Sequence, residues 1–162
     1  GIIMVSKGIP FMQAGEEMLR TKPNGDGAFD ENSYKSSDAV NNINWSVLKE
    51  GTNEYNMSEF YKGLIDMRKA YSIFRDSSTA VSGNTISTNG RAIVTLDDHK
   101  GGKVMIIINP TAEEMSYTLS TSYNLLCDGS TVGAQKLGTA EGKITIPAYT
   151  AIILANDNIL NG

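Results

Sequence analysis

From about Thr79 onward the chain breaks into short runs rich in Ile, Val, Thr and Tyr, and no other feature restricts its fold so tightly. The runs cover 80–87, 92–96, 104–109, 114–119, 123–126 and 143–155. Between them stand turn pairs: Asn89-Gly90, Gly101-Gly102, Asn109-Pro110, Asp128-Gly129 and Glu141-Gly142. Short strands at roughly 8–12-residue spacing with such punctuation predict an antiparallel β-sandwich. Pro147, which has no amide proton to give a ladder, interrupts the last run at a bulge or an edge. His99, between Asp98 and Lys100, falls at a hairpin tip and reads as an exposed turn residue. Cys127 follows Leu125 and Leu126 and reads as a small buried hydrophobe.

Upstream of Thr79 the texture differs. Residues 2–6 read as the end of a helix, with Gly8 supplying a left-handed cap. The segment 9–14 is apolar on both faces, as in a strand buried in a parallel sheet. Its neighbours are not visible in the sequence, so they are expected to lie outside the chain. A mostly polar stretch then runs to Trp45, far beyond the roughly 12–15 residues past which a loop is usually functional or disordered. Phe29, Tyr34 and Trp45 within it argue for order, since disordered segments are poor in aromatics. It is read as a ligand-facing loop whose return Trp45 anchors to the core. Residues 56–71 place Phe60, Leu64, Met67 and Tyr71 on one helical stripe, which Tyr61 and Ile65 broaden. Asn56 or Ser58 is the expected cap, and Arg68 and Lys69 suit the C-terminal end of the helix dipole. Strand, long loop and helix make one β/α unit. The fold class is therefore α+β: a last β/α unit of a barrel or doubly wound sheet in 1–75, and the sandwich in 76–162.

Composition then excludes several function classes. The chain has 162 residues, a net charge of −4 and scattered Lys and Arg. It lacks the basic footprint of a nucleic-acid binder and any basic run that would dock on a membrane surface. One Cys and one His leave no intrachain disulfide and no Cys-based zinc site. The opening apolar residues are too short for a signal-peptide core or a membrane span. Asn24-Gly25-Asp26-Gly27 with Asp30 lacks the alternating oxygen ligands, the sixth-place glycine and the closing glutamate of a calcium loop. No metal or cofactor is expected from these residues.

The motifs GIPFMQAGEE, MLRTKPNGDG, NSYKSSDAVNNINW and FYKGLIDMRKAY, read in that order, resemble the end of the catalytic barrel of type I pullulanases. These are the α-1,6-glucan-debranching glycoside hydrolases of the α-amylase superfamily. Pro147–Leu154 resembles the last strand of the β-sandwich that follows their barrel. The resemblance implies that residues 1–75 hold the eighth strand, the loop bordering the substrate cleft and the eighth helix of a (β/α)8 barrel. It also implies that α-glucan and the upstream barrel are the partners. Such enzymes work with retention, through two carboxyl groups roughly 5–5.5 Å apart. The family carries its nucleophile, acid and stabilising Asp on earlier strands, and none of those motifs occurs here. No catalytic residue is therefore expected in this chain, and the chain alone is expected to be inactive. Calcium remains a property the parent enzyme can have, with no motif for it here.

Glu16 and Glu17 are the obvious rivals to that reading. Adjacent strand residues point to opposite faces, so the pair cannot readily flank one glycosidic bond. One is expected to face the cleft or tie down loops and the other to pair with a cation such as Arg20. The candidate substrate-binding set is Glu17, Arg20, Lys22, Asn32, Ser33, Tyr34, Asp38 and Asn41. Arg20 and Lys22 suit sugar hydroxyls or cleft carboxylates, with a solvated ion pair the alternative. Asn32, Ser33 and Tyr34 offer polar edges and an apolar ring, or else local turns. Asp38 and Asn41 suit glucan contact or the capping of a short helix. A second function class is a non-catalytic carbohydrate-binding sandwich, whose aromatic row would have to come from Tyr117, Tyr123 and Tyr149. Unpaired apolar surface on 9–14 and on the 60–71 stripe predicts self-association, or packing of the helix on the sandwich.

Overall fold

The computed structural model describes residues 1–86 and 89–161, with side chains described outside 83–86. The chain divides into two compact units, Gly1–Pro10 with Lys62–Gly162, and Phe11–Tyr61.

In the first unit, eight strands form where the apolar runs predict them, save one. They are β1 (Ala80–Ile86), β2 (Ala92–Asp97), β3 (Lys103–Asn109), β4 (Met115–Thr118), β5 (Tyr123–Cys127), β6 (Gly138–Ala140), β7 (Lys143–Ile146) and β8 (Thr150–Ala155). Six of them build one sheet in the order β1-β2-β3-β8-β5-β6, and β4 and β7 form a separate ribbon. All the pairings are antiparallel. β6 has no counterpart among the expected runs. Ser87, the expected end of the first run, lies outside the described residues. Pro147 stands between β7 and β8, outside both ladders.

Alternation decides what is buried. In β3 and β8, Ile107, Ile152 and Leu154 join Ile146 and Leu119 in a core cluster, against which Met115, Tyr117 and Ile144 of the ribbon pack. The ribbon is thus a partial second layer, two strands against six, rather than a full sandwich sheet. Leu126 and Cys127 are both buried, which strict alternation forbids. The register slips between Leu125 and Cys127 against β8, and this bulge turns two successive side chains inward. His99 sits exposed at the β2–β3 tip with φ 61, its amide donating to the Asp97 carboxylate at 2.7 Å. Burial pushes the Cys127 thiol pKa up.

A short helix, α1 (Ile2–Val5), opens the chain. It ends on Ser6 in extended geometry, so Gly8, although at φ 97, is not its cap as expected. The long helix α3 (Asn53–Ala70) begins inside the Phe11–Tyr61 unit, after the short α2 (Asp38–Asn41). α3 begins earlier than expected. Thr52, not Asn56 or Ser58, caps it, its Oγ1 accepting the Tyr55 amide at 3.2 Å, because a hydroxyl three residues back satisfies an orphan amide of the first turn. In the part from Lys62 onward, Leu64, Met67 and Arg68 are buried. A Cβ on Gly63 would run into the Val132 carbonyl oxygen. The Tyr71 hydroxyl donates to the Ala134 carbonyl at 2.5 Å. Arg68 donates to the carbonyls of Met4, Ser6 and Gly8 at 2.8, 2.9 and 2.6 Å, fixing α1 and the residues after it. A last helix, α4 (Asp157–Asn161), ends the described chain.

The expected parallel strand over 9–14 does not form. These residues are irregular, and Ile9 and Phe11 are 98% and 87% exposed. A strand exists only in a ladder, and Pro10 has no N–H to offer one. No partner strand for 9–14 is present among the described residues.

Candidate functional site

The Phe11–Tyr61 unit holds all eight candidate residues, and it is built from turns rather than ladders. Gly15, at φ 99, and Leu19, at φ 55, bracket a 3-10 turn over Glu16–Met18. The two glutamates therefore do not alternate on a strand. Glu16 accepts the Gln13 amide at 3.2 Å and Glu17 the Gly15 amide at 2.9 Å, each carboxylate closing its own turn. Burial first, and then the charges of Glu16 and Glu17, raise the pKa of the Tyr61 phenol.

Arg20 does not pair with either acid, contrary to expectation. Its guanidinium donates to the Ala14 carbonyl at 3.2 Å and to the Asn41 carbonyl. Five fixed donors suit an Arg to several carbonyls at once, and the acids are already engaged by nearer amides. Arg20 Nε is buried and finds no acceptor among the described residues. From Asn41 the network runs on: its amide donates to the carbonyls of Ser33 and Ser36 at 2.6 and 3.0 Å. Lys22 Nζ donates to Ser33 Oγ at 2.6 Å, and the Ser36 hydroxyl to Asp30. Residues 22–30 close as a small hairpin, with the Pro23–Phe29 bridge and the Asp30 amide on the Lys22 carbonyl at 2.8 Å.

The structure thus sorts the candidates into two groups. Arg20, Lys22, Ser33 and Asn41 are spent on one another and on backbone carbonyls. Asn32, Tyr34 and Asp38 lie exposed beside that framework, Tyr34 at 74% with Lys35 Nζ 5.3 Å from its ring centre. Asp38 occupies the first turn of α2 but does not cap it; the cap position is Ser37. Trp45 is 65% exposed and does not anchor the loop to a core. It opens a turn whose cap is Asn44, accepting the Ser46 amide, and Val47 and Leu48 are the half-buried residues there. No group of three or more His, Cys, Asp or Glu gathers as a metal site among the described residues.

In the other unit, Tyr117 and Tyr123 pack on the apolar cluster, leaving Tyr149, at φ 51 and 75% exposed, as a lone surface ring.

Sequence reasoning missed the polar groups that line a pocket beside Arg20: Asn42, Asn44 and Glu54. Only the frequency of amides between Asn41 and Asn44 hinted at them.

No family model matches the chain. The pullulanase of Bacillus subtilis (strain 168) is 32% identical over an alignment of 142 residues that covers 80% of this chain and 18% of that protein. The solved pullulanase from Bacillus acidopullulyticus superposes with a TM-score of 0.77 at 25% identity, covering 96% of this chain and 19% of that one. The catalytic module of the pneumococcal glycogen-degrading virulence factor SpuA shares the fold, with a TM-score of 0.77 at 21% identity over 95% of this chain and 30% of that one. The chain thus spans less than a third of the length of these proteins. Its α+β architecture with an antiparallel sheet matches pullulanase C-terminal domains. The chain belongs to the pullulanase family and corresponds to the C-terminal part of its members.

Proposed function

We propose that the chain works as the C-terminal part of a retaining glycoside hydrolase that cleaves α-1,6 branch linkages in pullulan, glycogen or limit dextrins, with the catalytic carboxylates outside residues 1–162. The observation that carries this is the relation to a pullulanase over 142 residues. The geometry of Phe11–Tyr61 supports it. A framework of charge-assisted bonds holds one loop in shape while Asn32, Tyr34 and Asp38 stay open to a ligand. In this reading the framework positions, the exposed ring offers an apolar face to a sugar, and the amide and carboxylate take its hydroxyls.

Residues 1–75 are then the closing β/α unit of the catalytic barrel. Segment 9–14 becomes a strand once an upstream strand supplies its ladder, and residues 76–162 are the domain that follows. The bare Ile9 and Phe11 are the surface that the upstream barrel covers, and in its absence a second copy can. A free-standing carbohydrate-binding sandwich is less well supported, because two of its three candidate rings pack on the core.

The test is turnover. The 162-residue chain on pullulan is expected to release no reducing ends, and the same chain joined to an upstream pullulanase barrel is expected to do so. In the joined enzyme Tyr34→Ala raises KM more than it lowers kcat. Turnover by the chain alone, abolished by Glu17→Gln, would sink the proposal.

A further inference from the structure

Three Asn-Gly pairs stand in the sequence, at 24–25, 89–90 and 161–162. Each is open to the same chemistry, because glycine has no Cβ to shield its amide nitrogen from the side chain before it. The fold treats them differently. Asn24 and Gly25 sit at the tip of the 22–30 hairpin, where 23–29 are all exposed. A Cβ on Gly25 or Gly27 would meet nothing within 4 Å, so the tip stands in open space. The hairpin is closed at its neck, where the Asn24 amide donates to the Ala28 carbonyl at 3.1 Å and the Asp30 amide to that of Lys22 at 2.8 Å. The Gly25 amide makes no hydrogen bond among the described residues.

The Asn24 side chain is already folded back on its own backbone. Its Oδ1 accepts the Asp26 amide at 3.0 Å. The ring that this bond closes contains Cγ, Cβ, Cα and C of Asn24 and N of Gly25, which are the members of a succinimide. The same bond draws electron density from Cγ and steadies the charge that builds on Oδ1 when a nucleophile adds. Asn89-Gly90 is held more firmly. It closes the β1–β2 hairpin, with Ile86 paired to Ala92 across the ladder. A Cβ on Gly90 would come within 3.2 Å of Pro110, and Asn89 is itself engaged. Ring closure turns the Asn–Gly peptide, and a ladder must open locally to let it turn. Gly162 lies outside the described residues, so the fold ranks the first two pairs.

We propose that Asn24 is a self-modifying site, deamidating through a succinimide with Gly25 faster than Asn89 does with Gly90. The Gly25 nitrogen gives its proton to solvent base and attacks Asn24 Cγ. A C–N bond forms, the Cγ–Nδ2 bond breaks, and the side-chain nitrogen takes up a proton and leaves as ammonia. Water then opens the imide at either carbonyl, leaving aspartate or isoaspartate. Both add a negative charge to the hairpin tip. Isoaspartate also carries the main chain through an extra methylene, which puts the Asn24–Ala28 contact out of register. This chemistry does not depend on the function proposed above.

The test is to age the folded 162-residue chain in mildly alkaline buffer made with heavy-oxygen water and to follow its peptides by mass spectrometry. Asn24 should convert on the order of tenfold faster than Asn89, to a mixture of aspartate and isoaspartate carrying the heavy oxygen. In urea the two sites should convert at similar rates, because the fold no longer separates them. Asn24→Gln, whose ring would need an extra atom, should stay intact with the backbone spectrum unchanged beyond 22–30. A folded chain in which Asn24 converts no faster than Asn89 overturns the proposal. So does a rate ratio that urea leaves unchanged, or aspartate as the sole product at position 24, which would mean direct hydrolysis without the ring.

Discussion

The two units of this chain hold their shape by different means. In Gly1–Pro10 with Lys62–Gly162, backbone ladders run through the eight described strands and the interior is apolar, with Phe74, Ile107, Ile146 and Leu154 sealed from solvent. In Phe11–Tyr61, regular structure is a few turns and short helices, and the bonds that matter run from side chains to distant carbonyls. Phe11, Phe29, Tyr34 and Trp45 all stay exposed there. Burial stabilises cooperatively and everywhere at once. Polar contacts with a modest net worth of about 1 kcal/mol each give a fixed shape with little reserve. The first unit is built to persist and the second to present.

That contrast predicts an order of effects. Leu154→Ala, in the middle of the six-stranded sheet, should cost about 2–5 kcal/mol. Urea unfolding followed by circular dichroism should show the midpoint falling for the whole sheet; a purely local loss would break the comparison. Gly63→Ala should cost about 1–2 kcal/mol, because a Cβ against the Val132 carbonyl outweighs the helix propensity gained. A rise in melting temperature would contradict it.

Arg20→Ala should act locally. Amide exchange across 13–42 should accelerate by an amount equivalent to about 1–3 kcal/mol of opening, with sheet amides unchanged. Equal acceleration in β3 and β8 would show that the two units are not held separately. The smallest effect is at Asp128. Burial raises the pKa of its carboxyl, but amide bonds from Thr131 and Ser130 outweigh this and hold it below the usual range. Its contribution is therefore present above about pH 3.9 and fades as pH falls through the lower folded value. Asp128→Asn should flatten that acid slope in a pH series of melting temperatures.

The same contrast explains what could be read in advance. Alternation and turn pairs are local signals, so β1 to β5, β7 and β8 were visible in the sequence, as was most of α3. β6 is three residues, Gly138–Ala140, and α4 is five, both too short for any period to register. The strand expected over 9–14 fails for a different reason: two-faced hydrophobicity says what a segment needs, and no partner strand for it stands among the described residues. In the candidate site the residue types were legible and their obligations were not. Nothing in the order Arg20…Ser33…Asn41 reveals that a guanidinium and an amide will be consumed by backbone carbonyls 5 to 21 residues away. Nor does composition show that the Asn42 side chain and the Glu54 carboxylate find no partner among the described residues.

Arg68 has one more consequence. Its hold on Gly8 makes the residues between them a lasso drawn shut at its neck. For a flexible tether, each doubling of length adds only about 0.6 kcal/mol to the entropy of closure. Insertions and deletions in the part of the noose ahead of α3, residues 11–52, should therefore be cheap for the β-rich body, so long as the knot is tied. Variation in what the lasso displays can proceed without renegotiating the sheet.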